Sequence, residues 1–170
     1  MRVIIITGPP GAGKTSTMWR LGEILASRDV SHAVIDVDYV RNFHPAPEDD
    51  PFNSRLAMKN IAAMAANFRE AGARCLLFAD VVEHPELAIG YGELIPGSDI
   101  HVVRLDVPMD LLQARLEARE SAETIGWYRH RSRELQEIME RRRIGDLVIE
   151  VGERSIDEVA TAIAHYLGYR

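Results

Sequence analysis

Short, unbroken apolar runs alternate along this chain with longer stretches in which apolar residues recur every three or four positions. The runs are 2–7 (RVIIIT), 32–37 (HAVIDV), 74–80 (RCLLFAD), 100–107 (IHVVRLDV) and 146–151 (DLVIEV), and each predicts a buried strand. The helical pattern fills the gaps. From Gly13 onward, Met18, Leu21, Ile24 and Leu25 share one face. A second helix carries Leu56, Ile61, Met64, Ala65 and Phe68, with Asn53 as its cap, Asp49 or Asp50 as other capping candidates, and Gly72 as its stop. A short helix and turn occupy 84–97, and the helix 109–120 has Pro108 at its first turn. The stretch 127–143 is expected to bury Trp127, Leu135, Ile138 and Met139, and the last helix opens on a Ser155/Glu158 capping box and shows Ile156, Val159, Ile163 and Leu167. The proline-rich 42–53 (NFHPAPEDDPFN) reads as a loop.

Strands without polar interruption, alternating with helices, predict an α/β fold: a parallel sheet covered on both faces. Ligands of such sheets bind beyond the carboxyl ends of the strands. The 170 residues suit one domain, and no repeat, low-complexity tract or linker divides them. Cys75 is the only cysteine and lies in an apolar run, so it reads as an inert core thiol in a cytoplasmic protein. No run approaches membrane-span length, and MRVIIITG is too short for a signal peptide. The net charge of −6 argues against nucleic acid as a partner. Arginine is nevertheless concentrated between Arg115 and Arg143, where eight arginines face six glutamates.

The chemistry begins at 7–16, TGPPGAGKTS. Gly8, Pro9, Pro10, Gly11, Ala12, Gly13, Lys14 and Thr15 fit Gly-x-x-x-x-Gly-Lys-[Ser/Thr], between a buried strand and a helix. A loop without bulky side chains lets backbone N–H groups converge on phosphate oxygens, and the helix start adds its positive end. Lys14 then reaches the β- and γ-phosphates, Thr15 offers a hydroxyl to Mg²⁺, and Ser16 completes the loop. ATP and Mg²⁺ are therefore the expected cofactors.

On this motif and on the order and size of its elements, the chain resembles the P-loop kinases of small molecules, the group that includes shikimate kinase, gluconate kinase, adenylylsulfate kinase and chloramphenicol phosphotransferase. The resemblance implies a P-loop NTPase fold with a five-stranded parallel sheet in the order 2-3-1-4-5. It implies a substrate-binding segment after the second strand, here about 39–72, and an arginine-bearing lid after the fourth, here about 115–131. Asp36 and Asp38 are two residues apart, and an extended backbone would point them the same way. Such a pair is either solvated at a strand end or faces the phosphates. The similar Asp-x-Asp of shikimate kinase suggests Asp38 for the acceptor hydroxyl and Asp36 for the metal side. Asp80, ending an apolar strand, has the pattern of a Walker B carboxylate or of a simple turn residue.

Arg115 and Arg119 share a helix face; as lid arginines they would approach the transferring phosphate, Arg119 first. Arg129 or Arg131 could reach in from the far side of the lid, while Arg133 and Arg141 to Arg143 read as a solvated face. Glu83 and His84 read as a helix start beside Pro85. Arg41, Asp50, Arg55 and Asn60 are polar candidates for the substrate, although Asp50 could equally cap the following helix; His44 could serve as a base but reads more simply as a surface residue. Arg154 lies where the family touches adenine, although Ser155 is explained by capping alone. The expected activity is transfer of the γ-phosphate of ATP to a hydroxyl of a small molecule, by a monomer or homodimer. A nucleotide-binding regulatory or resistance protein with slow ATPase activity is the first alternative, and a polynucleotide-end kinase the second.

Overall fold

Strand β1 (Arg2–Thr7) is apolar at every interior position because both of its faces are covered. The computed structural model describes residues 1–169, and in it β1 is the centre of a sheet ordered β2-β3-β1-β4-β5. Strands β2 (His32–Asp36), β3 (Cys75–Ala79), β4 (Asp99–Asp106) and β5 (Leu147–Glu150) all run parallel to it. Both the order and the parallel pairing agree with the expectation from the sequence.

Alternation along β1 separates two cores. Ile4 and Ile6 face one side, where they meet Met18, Leu21 and Leu25 of α1 (Lys14–Ala26), Leu112 of α5 (Met109–Arg119) and Val159 and Ile163 of α7 (Ile156–Tyr166). Val3 and Ile5 face the other, with Ile61 and Ala65 of α3 (Ser54–Glu70), Tyr91 of α4 (Pro85–Leu94) and Leu135 and Met139 of α6 (Ile125–Arg141). Each large side chain buried this way contributes roughly 1.5–3 kcal/mol. Cys75 belongs to the first core, and burial raises its thiol pKa to about 11. Among the described residues, no helix is long and apolar enough to cross a membrane.

Local chemistry shifts three details from the expected pattern. The chain does not stay extended after β2. Asp36 caps a one-turn helix, α2 (Val37–Val40), by accepting from Asp38 N at 3.0 Å. An aspartate at that position satisfies an orphan donor, so a helix starts and strand alternation no longer relates Asp36 to Asp38. Trp127 is exposed rather than buried, because α6 turns its Leu135 and Met139 inward. Asn53 stands at the start of α3 in the left-handed region, with φ 49°, and its own side chain does not cap. The cap comes from Asp50, whose carboxylate accepts from Ser54 N at 2.8 Å and Arg55 N at 3.0 Å.

These bonds, the one from Arg55 N foremost, hold the Asp50 carboxyl below its ordinary pKa. A lowered pKa in the folded state means stability that is present at neutral pH and lost as pH falls through the folded-state value. Asp50→Ala should therefore lower the melting temperature at neutral pH, and the gap to the wild type should narrow on acidification. Thermal melts across the acid range test this; a gap independent of pH would remove the carboxylate from the cap.

Candidate functional site

The phosphate-binding loop begins where β1 ends. Thr7 is buried, and its hydroxyl oxygen accepts from Val82 N at 2.8 Å, tying this edge of β1 to the segment beyond β3. Gly8 passes so close to β4 that a Cβ would lie 3.0 Å from the carbonyl oxygen of Leu105. Gly13 adopts φ 91°, which lets the chain enter α1 without strain. No side chain caps α1 and no acidic residue occupies its first turn. Its leading N–H groups are left for an anion at the positive end of the helix. Carbonyls of the loop are held from outside: Ser132 Oγ donates to Pro10 O and Arg115 Nη1 to Gly11 O, both at 3.2 Å.

Lys14 folds back over the loop, donating to Gly8 O at 3.1 Å and Pro9 O at 3.3 Å. Burial lowers its pKa, against the opposing pull of Asp38, Asp80 and Asp36. Thr15 Oγ1 donates to Asp36 Oδ2 at 2.6 Å, which fixes the hydroxyl and the carboxylate side by side at the carboxyl ends of β1 and β2. Among the described residues, no group of three His, Cys, Asp or Glu could hold a metal alone. A hydroxyl beside a single carboxylate suits Mg²⁺, which keeps several waters and shares its shell with substrate phosphates.

A cleft of about 530 Å³ opens from this loop. Its charged and polar lining includes Lys14, Thr15, Asp38, Arg41, Asp80, Glu83, Arg119 and Arg131. Asp38 is largely exposed, with its Oδ1 3.8 Å from Arg41 Nε. Arg119 ends α5, donates to Glu120 Oε1 at 2.6 Å and lies over the Tyr128 ring at 5.7 Å. Asp80 is buried, with every strong contact internal: Oδ1 accepts from Arg41 Nη2 at 2.9 Å and Val81 N at 2.8 Å, and Oδ2 from Tyr91 OH at 2.8 Å. Burial raises the pKa of Asp80, and the Arg41 charge partly offsets it.

The other expected residues separate. Arg115 and Arg154 come together in a second cavity of about 220 Å³, with Ala12, Val151 and Ile156, which shares Gly11, Gly13 and Ser16 with the cleft. Arg55 points away from the cleft and pairs with Asp49 at 2.8 Å. Asn60 Nδ2 donates to Val40 O at 2.7 Å and so anchors the segment that carries Asp38 and Arg41 without lining the cleft itself. Arg129 pairs with Glu117. His44 is exposed, as are Arg133 and Arg141 to Arg143. His84 stands at the start of α4 as expected, but Glu83 instead pairs with Arg131 across the cleft.

Sequence reasoning missed Tyr91 and the apolar part of the cleft, which includes Phe52, Met58, Leu87, Trp127 and Tyr128. Helical spacing marks such residues only as core. The separable signal was an aromatic residue at a helix position that the core did not need, as at Trp127.

The family model described as "AAA domain" matches residues 4–140. No curated protein matches the chain by sequence. Several solved structures share its fold over nearly the whole length. The tunicamycin resistance protein of Deinococcus radiodurans is 22% identical, with a TM-score of 0.73 over 99% of this chain and 96% of its own. Shikimate kinase from Acinetobacter baumannii, in complex with shikimate, is 19% identical, with a TM-score of 0.60 over 99% and 94%. The APS kinase of Mycobacterium tuberculosis, in complex with AMPPNP and APS, is 22% identical, with a TM-score of 0.65 over 98% and 97%. The resemblance to P-loop small-molecule kinases thus extends from the motif to the fold.

Tyr91→Phe tests the buried network. It removes one hydrogen bond to a charged group and leaves Asp80 short of a partner, so unfolding should become easier by roughly 1.5–3 kcal/mol. Urea denaturation measures this, and unchanged stability would mean that Asp80 does not depend on the hydroxyl.

Proposed function

The chain belongs to the AAA domain family, and from that premise we propose that it is an ATP-dependent phosphotransferase acting on a hydroxyl of a small molecule. One observation carries the reading: Lys14, Thr15 and Asp38 line a single cleft. The kinases of the same fold, one in complex with shikimate and one with AMPPNP and APS, support it.

In this reading the loop N–H groups and the start of α1 bind the phosphates of ATP, and Lys14 leaves its carbonyl partners to place a point charge on them. Thr15 and Asp36 hold Mg²⁺, which supplies neutralisation of charge on the phosphate oxygens. Arg115 and Arg154 flank the adenine in the smaller cavity. Segment 39–72 carries the acceptor and segment 115–131 forms the lid. Asp38 orients the acceptor hydroxyl and takes its proton as the oxygen attacks the γ-phosphorus and the bond to the ADP oxygen breaks. Arg119 faces the charge that develops on the transferred group. Asp80 acts through Arg41, which it positions beside Asp38, rather than on the metal. Arg55 and Asn60 support segment 39–72 instead of touching substrate.

A slow ATPase in a resistance protein is the second reading, and the Deinococcus neighbour is its one support. ATP turnover across a panel of alcohols, sugars, nucleosides and antibiotics separates the two. A kinase is strongly stimulated by one compound, whereas an ATPase turns over slowly and uniformly.

Two substitutions make the mechanism specific. Lys14→Ala should leave the fold intact and abolish productive use of ATP, since Lys14 serves the phosphates and not the core; normal turnover in a folded variant would refute the assignment. Asp38→Asn keeps the size of the side chain but not its basicity. It should bind nucleotide normally and slow transfer by ~10² to 10⁴-fold, the usual contribution of general-base assistance. Wild-type transfer to the stimulating compound would reduce Asp38 to a turn residue.

A further inference from the structure

The acceptor end of the cleft has a charge balance and an apolar surface that restrict what it can take. Three guanidinium groups line the cleft, and all are already matched. Arg41 is bound to Asp80 at 2.9 Å, with Asp38 at 3.8 Å. Arg131 is bound to Glu83 and, at 2.6 Å, to Glu134. Arg119 is bound to Glu120 at 2.6 Å and lies over the Tyr128 ring. Counting the lining residues beyond the loop, these three arginines meet three carboxylates, Asp38, Asp80 and Glu83. The remaining lining cation, Lys14, is folded onto the phosphate loop. An anionic acceptor would have to shed water beside those carboxylates with no unclaimed guanidinium to receive it, and an unpaired buried charge is costly.

The same end exposes apolar surface. Phe52 lies in the proline-rich loop and is 55% exposed; Trp127, in the first turn of α6, is 53% exposed. Met58 and Leu87 extend the surface from α3 and α4, and Tyr128 lies beside Trp127 with the rings edge to face. Large aromatics left open inside a concave site, beside a few polar groups, are what a partly apolar ligand covers.

Resting on the kinase reading above, we propose that the acceptor is an uncharged alcohol bearing an aromatic or similarly flat apolar group, which packs against Trp127 and Phe52 while its hydroxyl meets Asp38. Hydroxy acids and sugar acids, whose carboxylate needs a free cation, are excluded, and so are small polyols, which leave the aromatic surface wet.

Three probes isolate the two claims. Styrene glycol is neutral and aromatic. Mandelate keeps its phenyl group and benzylic hydroxyl but replaces the terminal alcohol by a carboxylate. Glycerol keeps neutral hydroxyls and lacks the ring. Ligand-observed NMR titrations are run on the whole protein saturated with a non-hydrolysable ATP analogue and Mg²⁺, so that the phosphate end is filled. Styrene glycol should bind roughly tenfold more tightly than either of the others, and Trp127→Ala, at an exposed position, should remove about that factor. Equal or tighter binding of mandelate overturns the uncharged acceptor. Equal binding of glycerol, or no effect of Trp127→Ala and Phe52→Ala, overturns the apolar contact. Absence of binding by all three overturns both. Binding of styrene glycol in this pattern, without phosphoryl transfer from ATP to any aromatic alcohol, upholds the ligand class and counts against the kinase reading, so the two fail separately.

Discussion

All strands of a parallel sheet end on the same edge, and everything functional in this chain follows from which residues stand there. Thr7 and Gly8 follow the central strand, Asp36 ends β2 and Asp80 follows β3. Because β1 lies next to β3 and β4, with β2 one place further out, the loop after β1 opens beside the ends of β3 and, through Thr15, reaches β2. Three segments far apart in sequence thereby share one cleft. Right-handed crossovers make this arrangement the natural outcome of a β-α-β chain and not a special device.

Positive charge is handled differently at the two ends of that cleft. At the phosphate end donors are kept unspent: α1 has no side-chain cap and no carboxylate in its first turn, and Lys14 has only loop carbonyls for partners. At the acceptor end the guanidinium groups are committed to carboxylates. In the Arg41–Asp80–Tyr91 chain Asp80 and Tyr91 are buried and Arg41 is half-buried, so removing a partner of Asp80 would strand its charge in the interior. The Asp80 carboxylate, whose sequence pattern suggested a metal contact, has its hydrogen bonds with Arg41, Val81 and Tyr91.

The fold was legible because its signals are redundant. Continuous apolar strands, helical spacing and the glycine-rich loop each point to the same layered architecture, and the Ser155/Glu158 capping box is present as expected. The loop itself was legible because backbone approach to phosphate admits few sequences. The acceptor end was not. Asp36 and Asp38 were related by an alternation that ends where Asp36 starts a helix. Arg55 was as polar as Arg41, and only the fold reveals that one pairs with Asp49 at the surface while the other reaches Asp80. Trp127 fitted a core pattern, yet the core was already filled by Leu135 and Met139. Pairing and facing depend on long-range contacts, which spacing within one element does not encode.

The asymmetry between the two ends also bears on how one fold accommodates different acceptors. The phosphate end is built from backbone and one lysine, so its tolerance for change is small: a side chain at Gly8 would strike Leu105 O. On the proposed reading the acceptor end is built from side chains on α2, α3, α4, α6, the proline-rich loop and the segment after β3, none of which belongs to the phosphate loop. Exchanging Glu83 for a neutral residue would leave Arg131 with Glu134 as its carboxylate partner and would not touch Lys14 or Thr15. On the proposed reading, acceptor charge would be set by whether the arginines of the cleft have partners, independently of the phosphate loop. In this chain the partners are present.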